Sequence, residues 1–198
     1  MATARSVLTR VIGIDPGLKV TGYGVVESSP SADRVKLVEA GVIRPEHSRR
    51  DDLPARLQSL FEGLREVLEE FHPKTLCLEE VYSHISYPRT SILMGHARGV
   101  ICLAARLARI PVVNFPAKRI KLSVTGNGNA PKAQVQRAVQ EFFSLSRMPQ
   151  PSDVADALAA ALCYLNSLRV SGDGAAFARR RSTRSAKRLV RLREGVLS

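Results

Sequence analysis

The chain has 198 residues, 44% of them hydrophobic, which is enough for one domain with a buried core but not for two of ordinary size. Its formal charge of +12 and its pI near 10.4 favour a polyanionic partner such as nucleic acid. We find no apolar leader and no run of about 18 apolar residues. We therefore expect a cytoplasmic protein that does not interact with a membrane.

The first third of the chain has the pattern of a small sheet followed by a helix. Apolar or alternating runs at residues 11–14, 22–26 and 36–44 predict three strands that form an antiparallel meander. Apolar residues then recur at steps of three and four, which predicts an amphipathic helix over residues 51–71. Pro73 is expected to end this helix.

Strands and helices alternate in the rest of the chain. Short apolar runs predict strands at residues 75–82 and 111–115, and the longer segments at residues 90–107, 132–143 and 152–168 are predicted to be helices. This order predicts an α/β fold, in which a five-stranded mixed sheet is covered by helices on both faces.

The composition changes near residue 170. We predict a folded domain over residues 1–170, followed by a flexible or marginally helical basic extension over residues 171–198. The extension has eight basic residues against two acids, and thus supplies +6 of the net charge. Cys77, Cys102 and Cys163 lie far apart in apolar surroundings, which favours reduced core residues over a zinc site or disulfides.

Several acidic residues occur in otherwise apolar segments. Asp15 ends the first strand, where burying its charge would cost several kcal/mol without compensation, although Asp before Pro-Gly is also a common turn residue. Glu79 and Glu80 lie in the strand predicted at residues 75–82. Because side chains alternate along a strand, only one of them can share a cleft with Asp15, and spacing does not decide which.

Asp153 and Asp156 are three residues apart and therefore share one face of the first turn of the last helix. The helix dipole alone favours acids there, but this helix is apolar nearly all round, so its acids are expected to be buried with a partner. If the acids converge, all-oxygen ligation favours Mg²⁺ or Mn²⁺ over zinc. Two such ions about 3.5 to 4 Å apart can hydrolyse a phosphodiester.

The chain contains four short motifs, which are IGIDPG with TGYG (residues 12–17 and 21–24), LEEVY (78–82), GHARGV (95–100) and DVADAL (153–158). Their order and spacing resemble the RuvC family of Holliday-junction resolvases across residues 11–168. The resemblance implies an RNase H-like fold and a Mg²⁺-dependent homodimer that makes paired symmetric nicks in four-way junction DNA. It also implies the branch-migration proteins RuvA and RuvB as partners.

The resemblance also assigns roles to single residues. Asp15, Glu79, Asp153 and Asp156 fall on the family's four metal-binding acids, which selects Glu79 over Glu80. These four residues are therefore expected to be catalytic and to hold the metal ions, two per active site.

Other matched residues imply contacts with DNA. Lys132 and Lys121 fall on family lysines that approach the DNA backbone or the scissile phosphate, although both would also be ordinary on a basic surface. The match implies that Lys132 is catalytic as well as DNA-binding. Tyr82 falls on an aromatic position near the junction centre, where it would stack on an unpaired base, and its alternative is a core tyrosine at the sheet edge. Arg98 is expected either to contact a phosphate or to pack its helix.

The chain departs from the family between Tyr82 and Gly95, where the family commonly has a Lys-Asn-containing stretch that is one residue shorter. Tyr87 or Arg89 is expected to take over contacts there. For the subunit contact, the predicted helices at residues 51–71 and 90–107 are candidates, because the family pairs its subunits through a helix that follows the Glu79 strand.

Two other functions remain open from sequence. One is a different nuclease on the same fold, such as a ribonuclease H that acts on RNA–DNA hybrids. The other is a noncatalytic junction-binding protein, in which the acids only cap helices and contact solvent.

Overall fold

The computed structural model describes residues 8–29, 32–45, 52–80 and 88–172. In these residues five strands form one sheet in the order β3-β2-β1-β4-β5. The first three strands are antiparallel, as predicted, whereas β1, β4 and β5 run parallel. The strands are β1 (Thr9–Asp15), β2 (Thr21–Ser29), β3 (Ala32–Ile43), β4 (Thr75–Glu79) and β5 (Val112–Phe115).

Five helices accompany the sheet in the described residues, one more than the sequence predicts. The added helix is α3, which has only nine residues and buries only Ile120. Its boundaries are Pro116 before it and Gly126 after it, the latter with a left-handed φ of 74°. The helices are α1 (Leu53–Phe71), α2 (Pro88–Leu107), α3 (Ala117–Thr125), α4 (Lys132–Phe143) and α5 (Ser152–Gly172).

Local sequence explains the ends of α1. The Asp52 carboxylate accepts a hydrogen bond of 3.0 Å from the Ala55 N–H, which caps the first turn. At the other end His72 adopts a left-handed conformation, and its N–H donates to the Leu68 carbonyl. Pro73 follows, so the predicted end of the helix is confirmed within one turn.

The sheet separates two apolar clusters. Side chains such as Ile12 and Ile14 pack towards α1 and α2, whereas Val11 and Cys77 pack towards α3, α4 and α5. The prediction of a mixed sheet covered on both faces is therefore confirmed. Burial raises the pKa of the Cys77 thiol, as expected for a reduced core residue.

Glycine allows α5 to lie directly against the sheet. A Cβ atom at Gly13 of β1 would overlap the main-chain carbonyl of Ala157, and one at Gly22 of β2 would overlap that of Asp153. Only glycine leaves room for this approach, which brings the first turn of α5 to the end of β1.

Some predictions fall outside the described residues. Tyr82 and Tyr87 belong to residues 81–87, and most of the basic extension belongs to residues 173–198. Because α5 continues to Gly172, it passes the predicted domain boundary by two residues, and the division itself stays a prediction. Within the described part of the chain, no helix has both the length and the apolar composition needed to cross a bilayer.

Candidate active site

The register of the sheet brings two of the predicted acids together. In the parallel pair of β1 and β4, Ile14 lies opposite Leu78, and the next residue on each strand is Asp15 or Glu79. Alternation then places both carboxylates on the face that α5 covers, because Cys77, two residues before Glu79, packs on that face. Glu79 therefore shares a cleft with Asp15.

Helix α5 supplies the other two acids. Asp15 is paired with Gly22 in the β1–β2 ladder, and the Asp153 main chain lies directly over Gly22. Asp156 is one turn further along the same helix. The four predicted acids thus converge at the carboxyl ends of β1 and β4. In sequence, more than 60 residues separate Asp15 from Glu79, and more than 60 separate Glu79 from Asp153.

The electrostatics of the cluster agree with this convergence. Burial, followed by the charges of Asp156 and Asp153, raises the pKa of Asp15 from 3.8 to about 8. Burial and the charge of Asp156 also raise the pKa of Glu79. The acids therefore repel one another across a shared space that is partly shielded from water.

Two lysines partly balance these acids. The Lys132 ammonium, on the first turn of α4, lies 2.8 Å from a carboxylate oxygen of Asp156. Burial lowers the pKa of Lys132, but the hydrogen bond to Asp156 and the nearby acids outweigh that effect, so the pKa is raised. Lys121 of α3 acts on the cleft as well, because its charge lowers the pKa of Glu79.

The donor set suits a hard divalent cation. In the side-chain conformations of the described residues, no three carboxylate, imidazole or thiol groups lie close enough together to form a metal site. The Asp156 carboxylate forms an ion pair with Lys132. The donors are nevertheless all oxygen atoms, as Mg²⁺ requires, and the acids raise the pKa of Asp15 through their charges. A cation among them would relieve that repulsion.

Two further predicted residues, Arg89 and Arg98, belong to α2. Arg89 is exposed on the first turn of α2. Arg98 turns its guanidinium towards the sheet and donates hydrogen bonds to the Glu79 main-chain carbonyl and to the Asn114 side chain. Sequence reasoning missed Asn114, and the only signal for it is a polar residue within the apolar strand VVNF.

The family comparison agrees with the predicted resemblance. The family model described as crossover junction endodeoxyribonuclease RuvC matches residues 11–164. The chain belongs to the RuvC family. The RuvC protein of Rhodopirellula baltica is 51% identical over 154 residues, which cover 77% of this chain and 84% of that protein. The RuvC protein of Azoarcus sp. is 37% identical over 180 residues, or 91% and 94% of the two chains.

Solved structures confirm the predicted RNase H-like fold. The chain resembles Thermus thermophilus RuvC with a TM-score of 0.71 at 29% identity, over 83% of this chain and 98% of that one. The same protein in complex with a Holliday junction substrate matches with a TM-score of 0.72 at 30% identity, over 82% and 96%. The yeast mitochondrial Holliday junction resolvase shares the fold, with a TM-score of 0.58 at 16% identity, over 80% and 78%.

Proposed function

We propose that this chain is a divalent-metal-dependent endonuclease that resolves Holliday junctions in DNA recombination and repair. The observation that carries the proposal is the convergence of Asp15, Glu79, Asp153 and Asp156 in one cleft of a RuvC-family fold. The net charge of +12 supports a polyanionic substrate, and the Thermus thermophilus relative has been solved with a Holliday junction.

The four acids would hold the metal, which we propose to be two Mg²⁺ ions per site, with Mn²⁺ as a substitute. When bound, the ions supply Lewis-acid stabilisation of the charge that develops on the phosphodiester. Asp15 and Glu79 are held by adjacent strands, whereas Asp153 and Asp156 come from one helix turn. Rigid elements on both sides of the cleft therefore fix the main-chain positions from which the carboxylates project.

The lysines have a separate role in the proposal. The Lys132 side chain is 54% exposed although its ammonium pairs with Asp156, so it can reach outward to a phosphate that enters the cleft. Lys121 is half-buried near Glu79 and adds a second positive charge. Together they would orient the scissile phosphate and offset its charge as it approaches the acids.

Further DNA contacts are proposed for Arg89 of α2 and for Tyr82. Arg89 is exposed there and can reach a phosphate. Tyr82, which the family resemblance puts near the junction centre, would stack on an unpaired base. For Arg98, hydrogen bonds into the protein favour the packing role over a phosphate contact.

We further propose that two copies of the chain pair through α2 and make paired symmetric nicks. The outer side of this helix carries exposed apolar residues and two glycines at helical spacing, and the glycines face open space. The stripe consists of Ile92, Gly95, Gly99, Leu103 and Leu107. Such a stripe permits close approach of a second helix, and a twofold dimer presents two equivalent sites to two equivalent DNA strands.

RuvA and RuvB are proposed as partners from the family resemblance.

The proposed function is tested by incubating the chain with a synthetic four-way junction and Mg²⁺ or Mn²⁺, and by mapping the cuts. We expect two symmetric nicks, and we expect Asp153→Asn to abolish cleavage while junction binding is retained. Glu141→Gln, which removes an exposed acid from α4, is the matched control and should cleave normally.

Parallel digestion of an RNA–DNA hybrid and a linear duplex separates the rival functions. Preferential cleavage of the hybrid would identify a ribonuclease H activity instead. Junction binding without cleavage and without Mn²⁺ uptake at submillimolar concentration would identify a noncatalytic binding protein. Normal cleavage by Asp153→Asn would show that the acids are not the active site.

A further inference from the structure

Arg98 of α2 contacts the end of β4 at the place where the Glu79 carboxylate emerges. The side chain is half-buried, and its guanidinium donates one hydrogen bond of 2.7 Å to the Glu79 main-chain carbonyl. A second hydrogen bond goes to the side-chain oxygen of Asn114 on β5. One side chain thus connects α2 with the ends of two neighbouring strands.

The Glu79 carbonyl belongs to a peptide unit that is held on both sides. The N–H group of the same unit, from Glu80, donates a hydrogen bond of 2.9 Å to the Phe115 carbonyl of β5. Because a peptide unit is planar, two hydrogen bonds at its opposite ends fix its rotation. That rotation determines the direction in which the adjacent Glu79 side chain leaves the strand.

Arg98 contacts the main chain of Glu79 and not its carboxylate. Both hydrogen-bond acceptors are neutral, one a peptide carbonyl and the other an amide oxygen. The cations whose charges lower the pKa of Glu79 are Lys121 and Lys132. An effect of Arg98 on the acid cleft would therefore pass through backbone geometry, whereas the lysines act by charge.

We propose that Arg98 is a positioning residue that presets the Glu79 carboxylate for metal binding and phosphodiester cleavage by fixing the peptide unit after it. Asn114 supports this role by holding the guanidinium in the plane needed to reach the carbonyl. The inference rests on the proposed function for its cleavage readout, but not for its metal-binding readout.

The test compares wild type with Arg98→Met in three measurements: Mn²⁺ affinity of the DNA-free protein, junction affinity without metal, and kcat for junction nicking. We expect about 10-fold weaker Mn²⁺ binding and about 10- to 100-fold lower kcat, the range for residues that orient metal ligands. Junction affinity should stay within about twofold, because the proposed role involves no phosphate contact.

The matched control is Arg106→Met, which makes the same change at an exposed arginine in the last turn of α2. It should leave all three measurements unchanged. Arg98→Lys keeps the positive charge but replaces the planar guanidinium by a single ammonium group. Its Mn²⁺ affinity and kcat should therefore lie between those of wild type and Arg98→Met. Asn114→Ala should weaken Mn²⁺ binding on its own, but have little further effect in the Arg98→Met background.

Several outcomes would overturn the inference. Loss of junction affinity in proportion to kcat, with normal Mn²⁺ binding, would make Arg98 a phosphate contact. Full activity of Arg98→Met would leave it without a role at the site. If Arg98→Met does not fold, normal Mn²⁺ binding by both Arg98→Lys and Asn114→Ala would refute the proposal. If the wild type fails to nick junctions, the proposed function fails, while Mn²⁺ affinity still tests the positioning role.

Discussion

Asp15 illustrates how a single residue links the stability of this protein to its proposed chemistry. Burial and the neighbouring acids raise its pKa from 3.8 to about 8, so the folded chain binds a proton at this site more tightly than the unfolded chain does. A carboxyl group with a raised folded-state pKa stabilises the fold fully below the unfolded-state pKa. That contribution is lost as pH rises from about 4 to about 8.

We therefore expect metal-free wild type to lose stability across this range, and Asp15→Asn to lose less. If removal of the buried charge contributes about 2 kcal/mol, the melting temperature of the variant at pH 8 rises by roughly 4 to 8 °C, since 1 kcal/mol moves it by about 2 to 4 °C at this size. Thermal unfolding in EDTA between pH 5 and about 9 measures this. Added Mg²⁺ should stabilise wild type more than the variant.

A surface substitution provides the comparison for this experiment. Glu66→Gln removes an exposed acid of α1 and should leave the pH profile of wild type unchanged. Superimposable profiles for wild type and Asp15→Asn would show that Asp15 does not carry an unfavourable charge in the folded state.

At the scale of elements, the decisive contact is the one between α5 and the first two strands. Gly13 and Gly22 lie beneath the α5 main chain at Ala157 and Asp153, respectively. Neighbouring α5 residues are fully buried, so the helix cannot move without disturbing the core on that face. The position of Asp153 and Asp156 relative to Asp15 therefore depends on the absence of side chains at two places in the sheet.

We expect Gly13→Ala to push α5 away from β1, because its methyl group would overlap the Ala157 carbonyl. The cost should be about 1 to 3 kcal/mol, as for other overpacked cores. Urea unfolding measures the stability, and Mg²⁺-dependent nicking measures the site, which should be impaired beyond what the loss of folded protein explains. Wild-type stability together with wild-type nicking would mean that α5 does not depend on this close approach.

At the scale of the whole molecule, α2 has two different sides. Its inner residues, including Ala97 and Ile101, are fully buried against the sheet and α1, whereas Leu103 and Leu107 on the outer side are 53% and 64% exposed. Exposed leucines that follow glycines along one side of a helix form an apolar stripe, which is unusual on a surface that contacts only solvent. This asymmetry supports the proposal that a second copy covers the helix.

We expect Leu103→Glu to shift the chain from dimer to monomer, because it would bury a charge in the proposed contact. Sedimentation equilibrium at micromolar concentration measures the shift. Leu122→Glu is the matched control, since Leu122 of α3 is 54% exposed but lies on another helix, and it should remain dimeric. A monomeric wild type, or a dimeric Leu103→Glu variant, would contradict pairing through this side of α2.

The sequence by itself determined most of the strands and helices, because their hydrophobic patterns lie within single segments of the chain. It predicted the five strands and the helices α1, α2, α4 and α5 to within a few residues of their observed ends. It did not predict α3, which at nine residues is shorter than the length of about 10 to 12 at which a helix is readily distinguished from a short strand. It also drew attention to five acids, because charges in apolar segments stand out without reference to any fold, and the family resemblance then selected Glu79 over Glu80. The family resemblance, which the comparisons confirm, came from short motifs in a fixed order.

Only the tertiary structure decided how these residues meet. The β1–β4 register placed Glu79 beside Asp15, Gly22 allowed Asp153 to lie over the end of β1, and Lys132 reached Asp156 from another helix. The hydrogen bonds of Arg98 to Glu79 and Asn114 likewise have no counterpart in local pattern. Each contact joins residues far apart in the chain, so it depends on strand register and helix docking, which are properties of the whole packed core and not of any one segment.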